Sequence, residues 1–167
     1  MINKLFVAVI LAGAAILPTA NAASPFDKGR SSVIAYLGSG SAFRDDYIIL
    51  GLGYNYYLVN GLKLGIQFDL WLDGDPSIYQ VTPEVGYVFH KVPVVKPYVG
   101  AFYRRSYIEG FDDLSAIGYR GGVYFVPGGG NTYIGIGGAY TEYQDCEESI
   151  YSDCSTSYTE LTFMFSF

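Results

Sequence analysis

The chain has 167 residues, a formal net charge of -6, 50% apolar residues, and an abundance of Tyr (17), Phe (11) and Gly (21). The acidic balance and the lack of a basic patch exclude a nucleic-acid binder. Beyond the first segment no apolar run is long enough for a membrane helix, whereas this composition suits strands that face lipid and carry aromatic girdles at the interfaces.

Met1–Ala22 opens with one cation, Lys4, continues through an apolar stretch from Leu5 to Leu17, and closes on Ala20-Asn21-Ala22. Its apolar part is too short to span a bilayer, and the small-residue ending is that of a secretory signal peptide. The mature chain is expected to run from Ala23 to Phe167 as one domain, with no cysteine at the cut to carry a lipid anchor. Removal of Lys4 takes the charge from -6 to -7.

Turn signals divide the mature chain into eight segments of membrane-strand length: Ser31–Ser39, Tyr47–Tyr57, Leu62–Leu72, Tyr79–His90, Pro97–Tyr107, Ser115–Val126, Thr132–Tyr143 and Ser157–Phe167. An even number places both termini on one side, expected to be the periplasm. Val59-Asn60-Gly61, His90–Pro97 and Pro127–Asn131 would then be periplasmic turns, Asn60-Gly61 being a strong hairpin signal. The other connections, Gly40–Asp46, Asp73–Ile78, Glu109–Leu114 and Gln144–Thr156, are more acidic and would face outside.

Alternation sets the facing. From Leu62 to Leu72 every second residue is a large hydrophobe, and Lys63, Gly65, Gln67, Asp69 and Trp71 lie between them. Gly51, Gly53, Asn55, Gly86, Gly118 and Gly122 likewise fall inside, where eight strands leave room for side chains rather than an open channel. Tyr54, Tyr56, Tyr87, Phe89, Phe125, Phe165 and Phe167 are expected to ring the periplasmic interface. Trp71, Tyr103, Tyr107, Tyr140 and Tyr158 would make a looser ring at the other interface. Pro83 cannot donate to a ladder, so a bulge is expected there.

The final segment ends Leu161-Thr-Phe-Met-Phe-Ser-Phe167, with Leu161, Phe163, Phe165 and Phe167 on one side and Glu160, Thr162, Met164 and Ser166 on the other. This strand resembles the C-terminal strand of bacterial outer-membrane β-barrels, and the whole mature chain resembles the small eight-stranded OmpA/OmpX/opacity-like superfamily. The resemblance implies an all-β, eight-stranded, antiparallel up-and-down transmembrane barrel in the outer membrane of the Gram-negative envelope. It also implies that Phe163, Phe165 and Phe167 form the signal read by the barrel-assembly machinery. The chain is expected to carry the barrel alone, without the periplasmic peptidoglycan-binding domain of the larger OmpA type, so no cell-wall tethering role is expected.

Several groups could carry chemistry. Lys63, Asp69, Glu84, Arg104, Arg120 and Glu160 are expected to share the lumen and to pair there, because a bare buried charge is costly. They would form either a polar plug that fills the barrel or an ion path or proteolytic centre. His90 is the one histidine; it lies at the periplasmic end, is followed by Lys91, and lacks the His-Ser pairing of lipid A deacylases, so it reads as an interfacial polar residue. Asp73, Asp75, Ser77 and Glu84 mimic calcium-loop spacing, but Ile78 stands where Gly is needed and Pro76 intrudes. Asp112-Asp113 and Glu147-Glu148 could gather divalent cations or be solvated loops. The Gly51-x-Gly53 and Gly135-x-Gly137-Gly138 runs lack the helix of a dinucleotide site.

Cys146 and Cys154 sit in one polar segment and, in an oxidising compartment, are expected to form a disulfide that closes a small loop. The leading expectation is a non-enzymatic outer-membrane protein with a structural or surface-interaction role, monomeric, without metal or cofactor. Its partners would be membrane lipids, lipopolysaccharide and the assembly machinery. A narrow porin-like channel for small solutes is the alternative, followed by a lipid-active enzyme.

Overall fold

The computed structural model describes residues 24–42, 45–126, 130–144 and 154–167. They form eight strands: β1 (Ser31–Ala42), β2 (Asp45–Val59), β3 (Leu62–Leu72), β4 (Ile78–Val88), β5 (Val95–Ile108), β6 (Leu114–Phe125), β7 (Thr132–Tyr143) and β8 (Ser155–Ser166). Each strand pairs antiparallel with the next, and β8 pairs with β1 to close the barrel. Closure matters because a free strand edge in hydrocarbon would leave backbone groups without partners, each at a cost of several kcal/mol. At the seam the Phe167 amide donates to the Ser31 carbonyl at 2.9 Å and the Ser31 amide donates to Phe167 at 3.1 Å.

Period-two patterning produces this architecture. In β3, Lys63, Gln67, Asp69 and Trp71 are buried, whereas Leu64, Ile66, Phe68, Leu70 and Leu72 are 40–53% exposed on the outer wall. The same wall continues through Leu50, Leu52, Val85, Val99, Ile117 and Ile136. A contiguous apolar belt of this extent is a lipid surface, since in water it would drive aggregation. Tyr54, Tyr56, Tyr87, Phe89, Phe125 and Phe167 are exposed, and Phe165 is half-buried, on the outside of the barrel end where β1 begins and β8 ends, the terminal end. Tyr87 packs edge-on against Phe89 at 5.2 Å, and Phe165 stacks on Phe167 at 6.2 Å.

Two residues expected in the opposite ring belong elsewhere. Trp71 is 6% exposed, inside the barrel, with its ring 5.4 Å from that of Tyr47. Tyr158 also points inward and accepts a hydrogen bond from Arg104. Strand parity governs both, because Trp71 shares its face with Asp69 and Tyr158 shares its face with Glu160.

Pro83 does not create a bulge. The β4–β5 register passes from Val81↔Arg105 to Glu84↔Phe102 without a shift, and the residues between are unpaired. Proline here deletes rungs of the ladder while the strand keeps its count. The register shift lies between Tyr57 and Val59 instead, beside the Asn60-Gly61 turn, where Gly61 has a φ of 85° that favours glycine.

Candidate functional site: the filled lumen

The interior is layered. At the terminal end, Tyr36, Tyr57, Tyr98, Tyr124, Tyr133 and Met164 pack around Phe26, which is fully buried. Phe26 belongs to the segment before β1, which folds back across the mouth. The Gly61 amide donates to the Phe26 carbonyl at 2.8 Å, the Ser166 hydroxyl donates to the Pro25 carbonyl at 3.0 Å, and the Gly29 amide donates to the Tyr57 carbonyl at 2.8 Å. The Phe26 ring lies 5.1 Å from that of Tyr133 and 5.8 Å from that of Tyr57. At the far end, Tyr47, Ile49, Trp71, Ile78, Ile108, Leu114 and Tyr143 form a second apolar layer.

Inward glycines make room for the rings. A Cβ on Gly122 would come within 2.5 Å of the Gly137 Cα and 2.9 Å of the Tyr98 hydroxyl, so Tyr98 lies over a wall that only glycine leaves flat enough. A Cβ on Gly118 would strike the Phe102 ring.

Between the two layers sits the charged belt. Lys63, Asp69, Glu84, Arg104, Arg120 and Glu160 are each at most 7% exposed. Lys63 Nζ meets Glu84 Oε1 at 2.5 Å, Arg120 reaches the other oxygen of Glu84 at 3.3 Å, and Arg120 meets Glu160 at 3.5 Å. Arg120 also donates to Gln67 Oε1 at 2.9 Å, and Gln67 donates in turn to Asp69 Oδ1 at 2.6 Å. Arg104 donates to Thr82 Oγ1 at 3.2 Å and to the Tyr158 hydroxyl at 2.7 Å. Both guanidinium groups lie over the Phe102 ring, at 4.8 and 4.9 Å from its centroid, a desolvated cation–π arrangement.

All six charges named from the sequence therefore lie in one lumen, three cationic and three anionic, with Arg120 as the hub. Buried charges need this density of partners because desolvation costs several kcal/mol per ion. A space of about 20 Å³ beside Asp69, Gln80, Arg104 and Glu160 is the size of a single water. Gln67 links Arg120 to Asp69, and Asn55 accepts from Lys63 at 3.4 Å while donating to Ser32 Oγ at 3.3 Å.

The remaining candidates lie apart. His90 is half-buried at the terminal end, where its carbonyl accepts from Lys96 at 2.8 Å. Glu84 is inside the barrel, away from the connection that carries Asp73, Asp75 and Ser77. Asp113 pairs with Arg105 on the exposed outer surface at 3.0 Å. Among the described residues, no three metal-ligating side chains converge. Glu147, Glu148 and Cys146 lie outside the described residues, as does Met1–Ala22; the Cys154 carbonyl accepts from the Tyr143 amide at 2.9 Å, which continues the β7–β8 ladder to the loop.

No protein-family model and no curated protein matches the sequence. Solved structures do match. The N-terminal β-barrel domain of Pseudomonas aeruginosa OprF is similar with a TM-score of 0.67 at 13% identity, covering 84% of this chain and 98% of that one. Neisserial surface protein A gives 0.59 at 16% identity, covering 83% and 96%. Yersinia pestis Ail in a phospholipid bilayer nanodisc gives 0.56 at 15% identity, covering 84% and 100%. At these identities the likeness establishes the fold. The chain has the eight-stranded outer-membrane barrel fold, and its apolar belt gives that barrel the surface an outer-membrane location requires.

Proposed function

We propose that this chain is a non-conducting, non-enzymatic outer-membrane barrel that acts through the surface it displays outside the cell. One observation carries the reading: among the described residues the lumen is filled, with an aromatic layer and the Phe26 plug at one mouth, an apolar layer at the other and a charge belt of three cations and three anions between. Such an interior supplies rigidity, and it favours the plug over an ion path or a catalytic centre. The terminal end faces the periplasm, and the acidic connections at the far end face outside. The protein is a monomer surrounded by membrane lipid and lipopolysaccharide, delivered by the Met1–Ala22 leader and inserted by the barrel-assembly machinery through β8.

The displayed element is the segment between β7 and β8, closed by a Cys146–Cys154 disulfide. A short loop closed this way gains roughly 2–3 kcal/mol by restricting its open states. The barrel ladder carries the global stability, so reduction will loosen the loop and leave the barrel folded. Peptide mass spectrometry without reduction is expected to recover the linked pair, and protease added to whole cells is expected to cut this segment first. Free thiols in protein taken from the membrane, or a segment protected on intact cells, would contradict the reading.

A further inference from the structure

We infer that the far half of the β1–β8 seam is a lateral port, by which water or the hydroxyl end of a small alcohol reaches the charge belt through the barrel wall. β1 pairs with β2 over its whole length, but it pairs with β8 only from Ser32↔Ser166 to Leu37↔Leu161. β8 stays paired with β7 as far as Ser155. Residues 38–42 of β1 and 155–160 of β8 therefore each turn one edge to the seam with no ladder between them. On the β2 side the apolar wall continues alongside this gap, since Ser39 is paired with Ile48 and Ile48 with Leu72, both exposed. The gap's own outward residues are polar: Ser39, Ser157 and Thr159 are all exposed. Backbone groups left free at that height find no partner in hydrocarbon, and such backbone is tolerated at membrane depth where it lines a water-filled cavity.

The gap leads inward to the belt. The space of about 20 Å³ is bounded by Leu37 and Gly38 of β1 and by Tyr158 and Glu160 of β8, with Asp69, Gln80 and Arg104 on its inner side. Two acceptors there have no hydrogen-bond partner among the described residues, Asp69 Oδ2 and Glu160 Oε2, on residues only 2% and 4% exposed. Gly38 keeps the passage open: a Cβ at this position would meet nothing nearer than the Ile49 Cβ at 3.8 Å. The mouths give no such access, one being closed by the layer around Phe26 and the other by the layer around Trp71. The port is thus a side entrance to a closed chamber and carries no current. Its chemistry defines the ligand. Free acceptors take a donor and repel an anion. Three cations already balance the three anions of the belt, so an ammonium would bring an uncompensated charge into a desolvated site. The volume suits a group the size of one water. A neutral hydroxyl meets all three conditions.

The test is NMR of the folded barrel in phospholipid nanodiscs, with water, methanol and methylammonium as probes. The Gln80 side-chain amide is expected to exchange with water and to show direct cross-relaxation from it. In Gly38→Leu, which fills the passage, that exchange should slow by about tenfold or more, as it does where local access is closed. Val33→Leu, on the paired part of the same strand, should leave it unchanged. Ser39→Cys with Thr159→Cys, which a continued ladder would set opposite each other, should slow the exchange when oxidised and restore it when reduced. Reduction of the wild-type protein should have no effect on it. Methanol should shift the Asp69 and Glu160 carboxyl resonances in the wild type and not in Gly38→Leu, whereas methylammonium should shift them in neither. Heat-modified gel mobility will identify folded barrels; if Gly38→Leu does not fold, Gly38→Val takes its place. Wild-type exchange as slow as that of the filled variant, exchange indifferent to the oxidised pair, or a preference for methylammonium over methanol would overturn the assignment.

Discussion

Replacing Arg120 with methionine is expected to destabilise the barrel by about 3–5 kcal/mol, the cost of leaving a buried ion partner uncompensated. Arg120 bridges Glu84 and Glu160 and hydrogen-bonds Gln67, so its loss acts on three strands. Glu84 keeps Lys63. Glu160 loses the one cation found within 4 Å of it among the described residues, so it is the group left uncompensated. The double variant Arg120→Met with Glu160→Gln should therefore recover much of the loss, and Glu84→Gln in the same background should recover less. Denaturant titration in detergent, followed by heat-modified mobility, reads all three. An unchanged unfolding midpoint for the single variant would remove Arg120 from the hub.

Deleting Phe167, or replacing it with aspartate, should deplete folded protein from the outer membrane and leave periplasmic aggregate or fragments. The two changes separate two roles. Deletion removes the paired backbone bonds to Ser31 that close the β1–β8 seam. Aspartate preserves those bonds, and near a membrane interface its direct cost is only about 0–1 kcal/mol. A large fall in assembled Phe167→Asp, with normal stability in the fraction that does assemble, would assign the effect to recognition during insertion. Normal yield of both variants would remove Phe163, Phe165 and Phe167 from that role.

The sequence carried the wall of this barrel more plainly than its contents. Alternation bounds Leu62–Leu72 and Thr132–Tyr143 as they stand in β3 and β7, because the alternation of large hydrophobes with small or polar residues is a local property. Asp45 and Val95 begin their strands earlier than expected, since acidic residues and a nearby proline read as turn while the ladder continues past the hydrocarbon. The six lumen charges were legible from parity alone. Their pairing was not: Lys63–Glu84 joins adjacent strands, but Arg120–Gln67 and Arg120–Glu160 cross the lumen, and no spacing rule carries across it. The inward aromatics Tyr36, Tyr57, Tyr98, Tyr124 and Tyr133 could have been found by the same parity; abundant tyrosine instead pointed to the interface. Trp71 and Tyr158 carry the same inward parity, beside Asp69 and Glu160. Phe26 had only a faint signal, a lone aromatic after Pro25 just before the first strand.

The central claim is that the lumen is filled, and single-channel recording tests it most directly. Purified barrel carrying a fluorescent label would be inserted into planar bilayers, with insertion counted optically. The account predicts a flat trace over a wide voltage range from bilayers that demonstrably hold the protein. Discrete, voltage-independent conductance steps that scale with the number of inserted barrels would contradict it.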